Sequence, residues 1–325
     1  MRRTKLLILV LFIAAISALL VPAHFIHAQS SNSAQAIQIA PVIKELSVNR
    51  GGSYTIQLSI RNMTAKDMVF EPVVNDFRAK DESGTPRIIL GEPVLPTNIS
   101  MTSWVESIGP ISLAANQTKI IDVRLSVPET AEPGGYYGVI RFSGAASALS
   151  GSNVSISASS GTLLLIRVNG KINEKLDIKE LFTMRGSKPS KWFEKAPITF
   201  VERIYNPSNI HLKPKGEVII KDMFGRTADT LKINQSGGNV LPLSTRRFEQ
   251  SLNTKWMFGR YKAKFNLNYG TEGQALNETI TFWVIPYKIV TGILLVIIVM
   301  LFGAIKLRKR TKRKEQSSKK LISSC

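Results

Sequence analysis

Short runs of alternating apolar and polar residues, separated by turn residues, recur throughout the central part of the chain from Ile37 to Ile285. In "SYTIQLSIRN", Tyr54, Ile56, Leu58 and Ile60 share one face, because successive side chains of a β-strand point to opposite faces. Helical periodicity is scarce in this region. The pattern therefore predicts an all-β protein whose antiparallel sheets pack against each other.

The strand pattern occurs twice, with about seven strands before Gly170 and about seven after it, as in immunoglobulin-like folds. Both halves contain an apolar strand that ends in Asn-x-Thr/Ser, at Asn62 in "IRNMT" and at Asn206 in "IYNPS". Such side chains close turns by bonding to nearby backbone groups. We therefore predict two tandem immunoglobulin-like β-sandwiches, at residues 29–169 and 170–284.

A Gly-x-Tyr turn precedes a late strand in each half, at Gly135 and Tyr137 and again at Gly259 and Tyr261. In immunoglobulin-like sandwiches a tyrosine at this position packs its ring into the core, and its hydroxyl bonds back to the preceding connection. Glycine supplies the turn conformation. These four residues are predicted to be structural corners, and no catalytic role is assigned to them.

The N-terminus has the three parts of a secretory signal peptide. Arg2, Arg3 and Lys5 form a basic region, an uncharged apolar run follows from residue 6 to 21, and Ala28 offers a small residue for cleavage. Residues 1–28 are therefore predicted to be a signal peptide.

The C-terminal region is predicted to be a transmembrane helix at residues 285–305 followed by a basic tail at 306–325. The run from Ile289 to Ile305 carries no charge, while Trp283, Tyr287 and Lys288 suit the membrane interface. The tail holds nine lysines and arginines and one glutamate, which favours the cytoplasm. The predicted location is the plasma membrane, crossed once, with the N-terminal part outside.

Composition excludes several functional classes. The net charge is +20, of which the first five residues carry +3 and the tail +8, so the remaining +9 belongs to the part between. A basic outer surface favours anionic wall polymers or phospholipid headgroups, while the tail lacks the aromatic residues that stack on nucleic-acid bases.

Cys325 is the only cysteine, and His211 is the only histidine beyond the signal peptide. With no nucleotide-binding motif either, we predict a protein that is not an enzyme and has no catalytic residues, metal, cofactor or nucleic-acid partner.

Two aromatic clusters flanked by lysines are candidate contact sites. They contain Trp192 and Phe193 in "SKWFEK", and Trp256 and Phe258 in "KWMFGRY". Exposed aromatic residues often anchor protein contacts. Packing in the core or at the membrane interface is the alternative use of these side chains.

The layout resembles the WxL-interacting protein family. The resemblance rests on "NRGGSYTIQLSIRNMTAKDMVFEPVVNDF" and "VPETAEPGGYYGVIRF" in the first half, followed by a second β-module, one helix and a basic tail. It implies a surface protein whose first domain binds peptidoglycan and whose second binds a partner protein. The second module, with "LSTRRF" and "FWVIP", is more similar to surface proteins of small-genome bacteria, so the chain would be a divergent relative.

Two functions remain open. The first is a membrane-anchored surface protein that binds a cell-wall polymer, another surface protein, or both. The alternative is a membrane-tethered chaperone or accessory for exported surface subunits, which lends them a strand edge. This alternative predicts an unblocked edge in the first sandwich.

Overall fold

The computed structural model describes residues 36–91, 99–146 and 158–322, so the predicted signal peptide lies outside the described residues. Within those described ranges, a 3-10 turn is present at Thr102–Trp104, and one helix, α1, spans Tyr287–Ile322. The strands are β1 (Ile37–Ala40), β2 (Ile43–Val48), β3 (Ser53–Asn62), β4 (Met68–Ala79), β5 (Pro86–Ile88), β6 (Ile111–Leu113), β7 (Thr118–Ser126), β8 (Gly134–Ala146), β9 (Ala158–Val168), β10 (Asp177–Arg185), β11 (Lys188–Pro189), β12 (Trp192–Phe193), β13 (Ile198–Asn206), β14 (Lys215–Lys221), β15 (Thr227–Ile233), β16 (Ser244–Leu252), β17 (Gly259–Tyr269) and β18 (Gln274–Val284).

Sandwich one packs a three-stranded sheet, β1-β3-β7, against a larger sheet in the order β2-β9-β8-β4-β5, with β6 also paired to β4. The N-terminal segment joins both sheets, because β1 pairs with β3 and β2 then runs parallel to β9. Ile56, Leu58, Phe70 and Phe142 lie wholly buried between the sheets. The predicted immunoglobulin-like plan is confirmed in this half.

Sandwich two packs the sheet β11-β10-β13-β16 against the sheet β12-β18-β17-β14-β15. Its core is separate from that of sandwich one and contains Phe200, Phe265 and Phe282, which meet edge to face. Residues 169–176 connect β9 to β10, and the predicted boundary at Gly170 falls in this connection. The exact domain limits stay a prediction.

A buried asparagine ends the equivalent strand of each sandwich. Asn62 Nδ2 donates to the carbonyl oxygens of Lys66, Leu113 and Ala114, at 2.8, 3.2 and 3.0 Å. Asn206 Nδ2 donates to the carbonyl oxygens of Ile210 and Val240, at 2.7 and 2.8 Å.

In both sandwiches the asparagine Oδ1 accepts a bond from the backbone N–H two residues later, that of Thr64 or Ser208. Each asparagine therefore supplies hydrogen bonds to loop backbone that has no strand partner. The repeated Asn-x-Thr/Ser motif marks this device.

The corner tyrosine of sandwich one is Tyr136 rather than the predicted Tyr137. Its buried ring packs 4.2 Å from that of Trp104, and its hydroxyl bonds to both the N–H and the carbonyl of Glu132. Tyr137, one residue on, necessarily points to the other face of β8. Gly135 is required by space, because a Cβ there would lie 2.0 Å from the Tyr137 hydroxyl.

In sandwich two the structure places Tyr261 at the corner. Its buried ring stacks on Phe282 at 5.5 Å, and its hydroxyl accepts a bond from the Phe258 N–H at 3.1 Å. Gly259 adopts a φ of 93°, a left-handed conformation that favours glycine.

Helix α1 follows β18 after only two residues and continues to Ile322, so it extends beyond the predicted 285–305 into the basic tail. Its segment Tyr287–Ile305 has 19 residues, a mean hydropathy of 2.6 and no burial in the rest of the chain. The helix is therefore long and apolar enough to cross a bilayer.

Candidate binding cleft between the two sandwiches

A cleft of about 560 Å³ lies where the two sandwiches meet. One wall belongs to β4 and β8 of sandwich one, and the other to two loops of sandwich two that follow β13 and precede β16. Its lining is mostly apolar and consists of Phe77, Arg78, Ala79, Ile99, Gly135, Tyr137, Pro207, Ser208, Asn209, Leu241, Pro242, Leu243 and Ser244.

The wall from sandwich one is the outer face of its larger sheet. Phe77, Val139 and Leu165 form an apolar cluster on this face, although it points away from the core between the sheets. Tyr137 joins the cluster edge to face with Phe77, and Leu241 of sandwich two packs against it. The sheet thus has two apolar faces, one for its own core and one for sandwich two and the cleft.

The wall from sandwich two is held by Asn206, which bridges the loop after β13 to the loop before β16. The Leu243 N–H donates to the Asn206 carbonyl at 2.8 Å. Leu243 adopts a φ of 53°, and its side chain is 75% exposed at the rim of the cleft. A leucine in this conformation costs roughly 1–2 kcal/mol relative to the right-handed region, so the fold holds an exposed apolar side chain here against its backbone preference.

Several polar contacts fix the angle between the sandwiches near the cleft. The Gly135 N–H donates to the Asn209 carbonyl at 2.7 Å, and Asn209 Nδ2 donates to the Pro133 carbonyl at 2.8 Å. On a second side, Glu45 of β2 accepts bonds from Lys213 Nζ at 2.6 Å and Asn239 Nδ2 at 2.9 Å.

The hairpin between β4 and β5 makes the third tie. Glu82 at its tip forms a two-pronged ion pair with Arg203 of β13, in which Nε donates to Oε2 at 2.8 Å. The Arg247 N–H also donates to the Glu82 carbonyl at 2.8 Å. The Arg203 guanidinium holds the pKa of Glu82 below its usual range. Together, the three groups of contacts hold the two walls of the cleft in place before a partner binds. Such pre-organisation lowers the entropic cost of binding.

His211 of sandwich two contacts Tyr137 of sandwich one at the interface between the two sandwiches. The Tyr137 hydroxyl lies 3.1 Å from His211 Nδ1. Burial lowers the pKa of His211 to about 4, against the opposing charge of Glu45 and together with the like charges of Lys213 and Arg167. The imidazole is therefore neutral at physiological pH and packs as an uncharged ring.

We expect acid to weaken the interface between the sandwiches, because it protonates His211. Because the pKa of His211 is depressed in the folded state, the stabilisation that the neutral imidazole provides is complete above the ordinary histidine pKa of about 6.5. It is lost as the pH falls towards about 4. From about pH 7 to about pH 5, the loss should be ~2 kcal/mol of unfolding free energy. Urea unfolding of the full chain, compared with His211→Asn, measures it. Equal pH dependence in both proteins would contradict the assignment.

The predicted contact residues do not line the cleft. Trp192, Trp256 and Phe258 are exposed at the opposite end of sandwich two. Phe193 is buried in the core against Phe282, so its prediction as a contact residue is wrong. Strand alternation explains the difference, since adjacent residues of β12 face opposite sides.

The predicted membrane-interface residues lie where β18 leads into α1. Trp283 stacks on Trp192 with ring centroids 5.4 Å apart. Tyr287 is the first residue of the helix, and Lys288 Nζ lies 3.4 Å from Glu194 Oε1.

One edge of sandwich one is unblocked within the described ranges. The hydrogen bonds at both ends of the β3–β7 pair fix which residues of β7 bond to β3, since bonded and non-bonded pairs alternate along antiparallel strands. Thr118, Ile120 and Asp122 therefore direct their backbone groups away from β3. Further along β7, the Glu106 N–H covers the Arg124 carbonyl at 3.0 Å. Residues 118–122 therefore offer a short free edge of the kind that the accessory function predicts.

Sequence reasoning missed the cleft. Leu243 follows a proline in the turn "LPLST", where an apolar residue is unusual, and this was the one local signal available. No local signal marks Glu82 either. Its ion pair with Arg203 joins residues 121 positions apart, which no local pattern indicates.

No protein-family model matches the chain, and no curated protein matches it. Among solved structures, it is similar to the class 5 fimbriae chaperone CfaA, with 14% identity, a TM-score of 0.39, and coverage of 75% of this chain and 98% of that one. It is also similar to the E. coli chaperone DraB, with 13% identity, a TM-score of 0.32, and coverage of 76% and 96%. A chain of the Salmonella enterica SafA pilin–SafB chaperone complex has 10% identity, a TM-score of 0.33, and coverage of 77% and 96%. At such low scores the likeness concerns the sandwich layout, and no function follows from it.

Proposed function

We propose that this chain is a non-enzymatic, membrane-anchored accessory protein that holds an apolar segment of another surface protein in the cleft between its sandwiches, as an assembly chaperone does. The observation that carries this proposal is the apolar lining of the cleft. Ile99 and Leu243 stay exposed at its mouth, while Phe77 and Tyr137 form its floor. Concave apolar surfaces of this kind bind apolar side chains because water leaves both surfaces.

A cell-wall polymer, the first expectation from the sequence, finds no support in this lining. A sugar or polyanionic polymer requires several hydrogen-bonding or cationic groups that converge on it. Among the described lining residues, Arg78 is the only charged side chain. Capture of an exported protein therefore accounts for the cleft better than wall binding does.

The same proposal places α1 across the plasma membrane once, with both sandwiches outside. The hydropathy of Tyr287–Ile305 supports the span, and the basic residues after it support a cytoplasmic tail. The resemblance to the WxL-interacting protein family stays a proposal, and it agrees with a surface-exposed location.

Site-directed cross-linking tests the cleft. Because Cys325 is the only native cysteine, Cys325→Ser gives a full chain without cysteine, in which Leu243→Cys introduces one attachment point. A benzophenone maleimide attached there in intact cells should, on irradiation, yield an adduct with an exported surface protein. We expect this because the side chain at position 243 lies at the cleft mouth.

Ile120→Cys is the matched control, since Ile120 is 65% exposed but lies on the free edge of β7. A protein adduct from position 243 that is weak or absent from position 120 supports the cleft. An adduct from position 120 alone would move docking to the strand edge and overturn the proposal. Cross-linking to isolated sacculi would instead restore the wall-binding function.

A further inference from the structure

Four separate segments of sandwich two converge at the end from which α1 departs. In register, Trp192 of β12 pairs with Trp283 of β18, and Gly259 of β17 pairs with Val284, two residues before Pro286. Lys221 at the end of β14 pairs with Lys262, so the hairpin at 222–226 projects from the same end. Residues 253–258 lead into β17 and lie there as well.

These segments carry exposed apolar side chains, which we call the membrane-proximal rim: Trp192, Met223, Phe224, Trp256, Phe258 and Trp283. Trp256 is 86% exposed and Phe224 is 74% exposed. The Met223 methyl group covers Gly259, so the hairpin rests directly on the start of β17. A soluble surface seldom concentrates so many exposed aromatic residues at one place without a partner.

Basic side chains lie beside aromatic rings at the rim, where Arg226 also pairs with Asp222 and Lys288 with Glu194. Arg226 lies over the Phe224 ring at 5.2 Å, and Lys288 lies over the Tyr287 ring at 5.8 Å. Lys255 adjoins Trp256 in the sequence. Long basic side chains beside aromatic rings can leave the ring in the apolar boundary while the charge reaches the headgroups.

We propose that the membrane-proximal rim inserts into the outer headgroup and acyl-chain boundary of the bilayer that α1 crosses, and so seats sandwich two directly on the lipid surface. This inference rests on the membrane anchor in the proposed function, but not on the cleft. Lipid is the occupant because only two residues separate β18 from α1, so a helix that enters the bilayer brings the adjoining loops to headgroup depth. Tryptophan is the side chain most typical of that depth.

The four tryptophans provide the test, since Trp104 is buried in the core of sandwich one and the other three belong to the rim. A full chain with Trp192→Phe and Trp283→Phe keeps Trp256 and Trp104 as its only tryptophans. The matched control adds Trp256→Phe and keeps Trp104 alone. Each replacement retains an aromatic ring at an exposed position, so the fold should be preserved.

Both proteins are reconstituted into phosphatidylcholine and phosphatidylglycerol vesicles, with plain or brominated acyl chains. Bromine quenches only indoles in contact with it, so we expect loss of most Trp256 emission and unchanged Trp104 emission. If the protein floats with the vesicles and Trp256 stays unquenched, the rim does not touch lipid and the inference is overturned. If the protein does not float, the membrane anchor fails as well, whereas the cross-linking test of the cleft is unaffected.

Discussion

Replacement of Asn206 by alanine is expected to lower the free energy of unfolding by about 3–5 kcal/mol, because it leaves buried loop groups without hydrogen-bond partners. The affected groups are the carbonyls of Ile210 and Val240 and the N–H of Ser208, whose bonds to Asn206 measure 2.7, 2.8 and 2.9 Å. The same change frees both loops that form the sandwich-two wall of the cleft. We therefore also expect lower cross-linking from position 243. Urea unfolding and adduct yield measure the two effects.

Asn62→Ala is the matched control, because Asn62 makes the equivalent bonds in sandwich one. It lies near the Met68 end of β4, whereas the cleft lies at the Ala79 end. A similar loss of stability with unchanged cross-linking is expected. Equal loss of cross-linking in both variants would mean that general destabilisation, rather than the cleft wall, controls binding.

Glu202→Gln is expected to stabilise the chain at neutral and alkaline pH. Glu202 is wholly buried on the core-facing side of β13, and burial raises its pKa to about 8. Its carboxyl oxygens lie 2.9 and 2.6 Å from the side-chain amide of Gln250. Because the folded-state pKa is raised, the native carboxyl stabilises the fold only when it is protonated. That stabilisation is complete below about pH 4.5 and is lost as the pH rises through about 8.

Glutamine keeps the shape and the amide contact but cannot ionise. The variant should therefore exceed the native chain by about 4–5 kcal/mol in unfolding free energy near pH 8, at ~1.4 kcal/mol for each unit of pKa difference. The measurement is urea unfolding across pH, with Glu278→Gln, an exposed glutamate of β18, as the control. A constant difference between the native chain and Glu202→Gln at all pH values would refute the buried, protonated carboxyl.

Strand patterning predicted the architecture because each strand carries its own signal. The alternation of Ile56, Leu58 and Ile60 reports one buried face directly. The repeated Asn-x-Thr/Ser motif was also informative, since its bonds are largely local. The corner tyrosine was misassigned because Tyr136 and Tyr137 are adjacent, and an error of one residue exchanges the two faces of a strand.

The candidate site could not be predicted in the same way. The wall at Phe77 and Val139 appears in the sequence as ordinary strand residues, and only the second sandwich shows that their face is an interface. The ties of Glu82 to Arg203 and of Glu45 to Lys213 join distant positions in the chain. Composition alone favoured wall polymers, because net charge does not reveal where an apolar surface lies.

The absence of a stalk between β18 and α1 sets the height at which a partner can be held. β18 has 11 residues and runs from the end of sandwich two that adjoins sandwich one to the bilayer end, a distance of roughly 35 Å at the usual rise per residue. With α1 in the membrane, the cleft lies at that height above the bilayer surface. A client anchored in the same bilayer therefore reaches it only after about ten extended residues have emerged. In the proposed function, the chain would therefore bind only exported segments that are long enough to reach from the bilayer to the cleft.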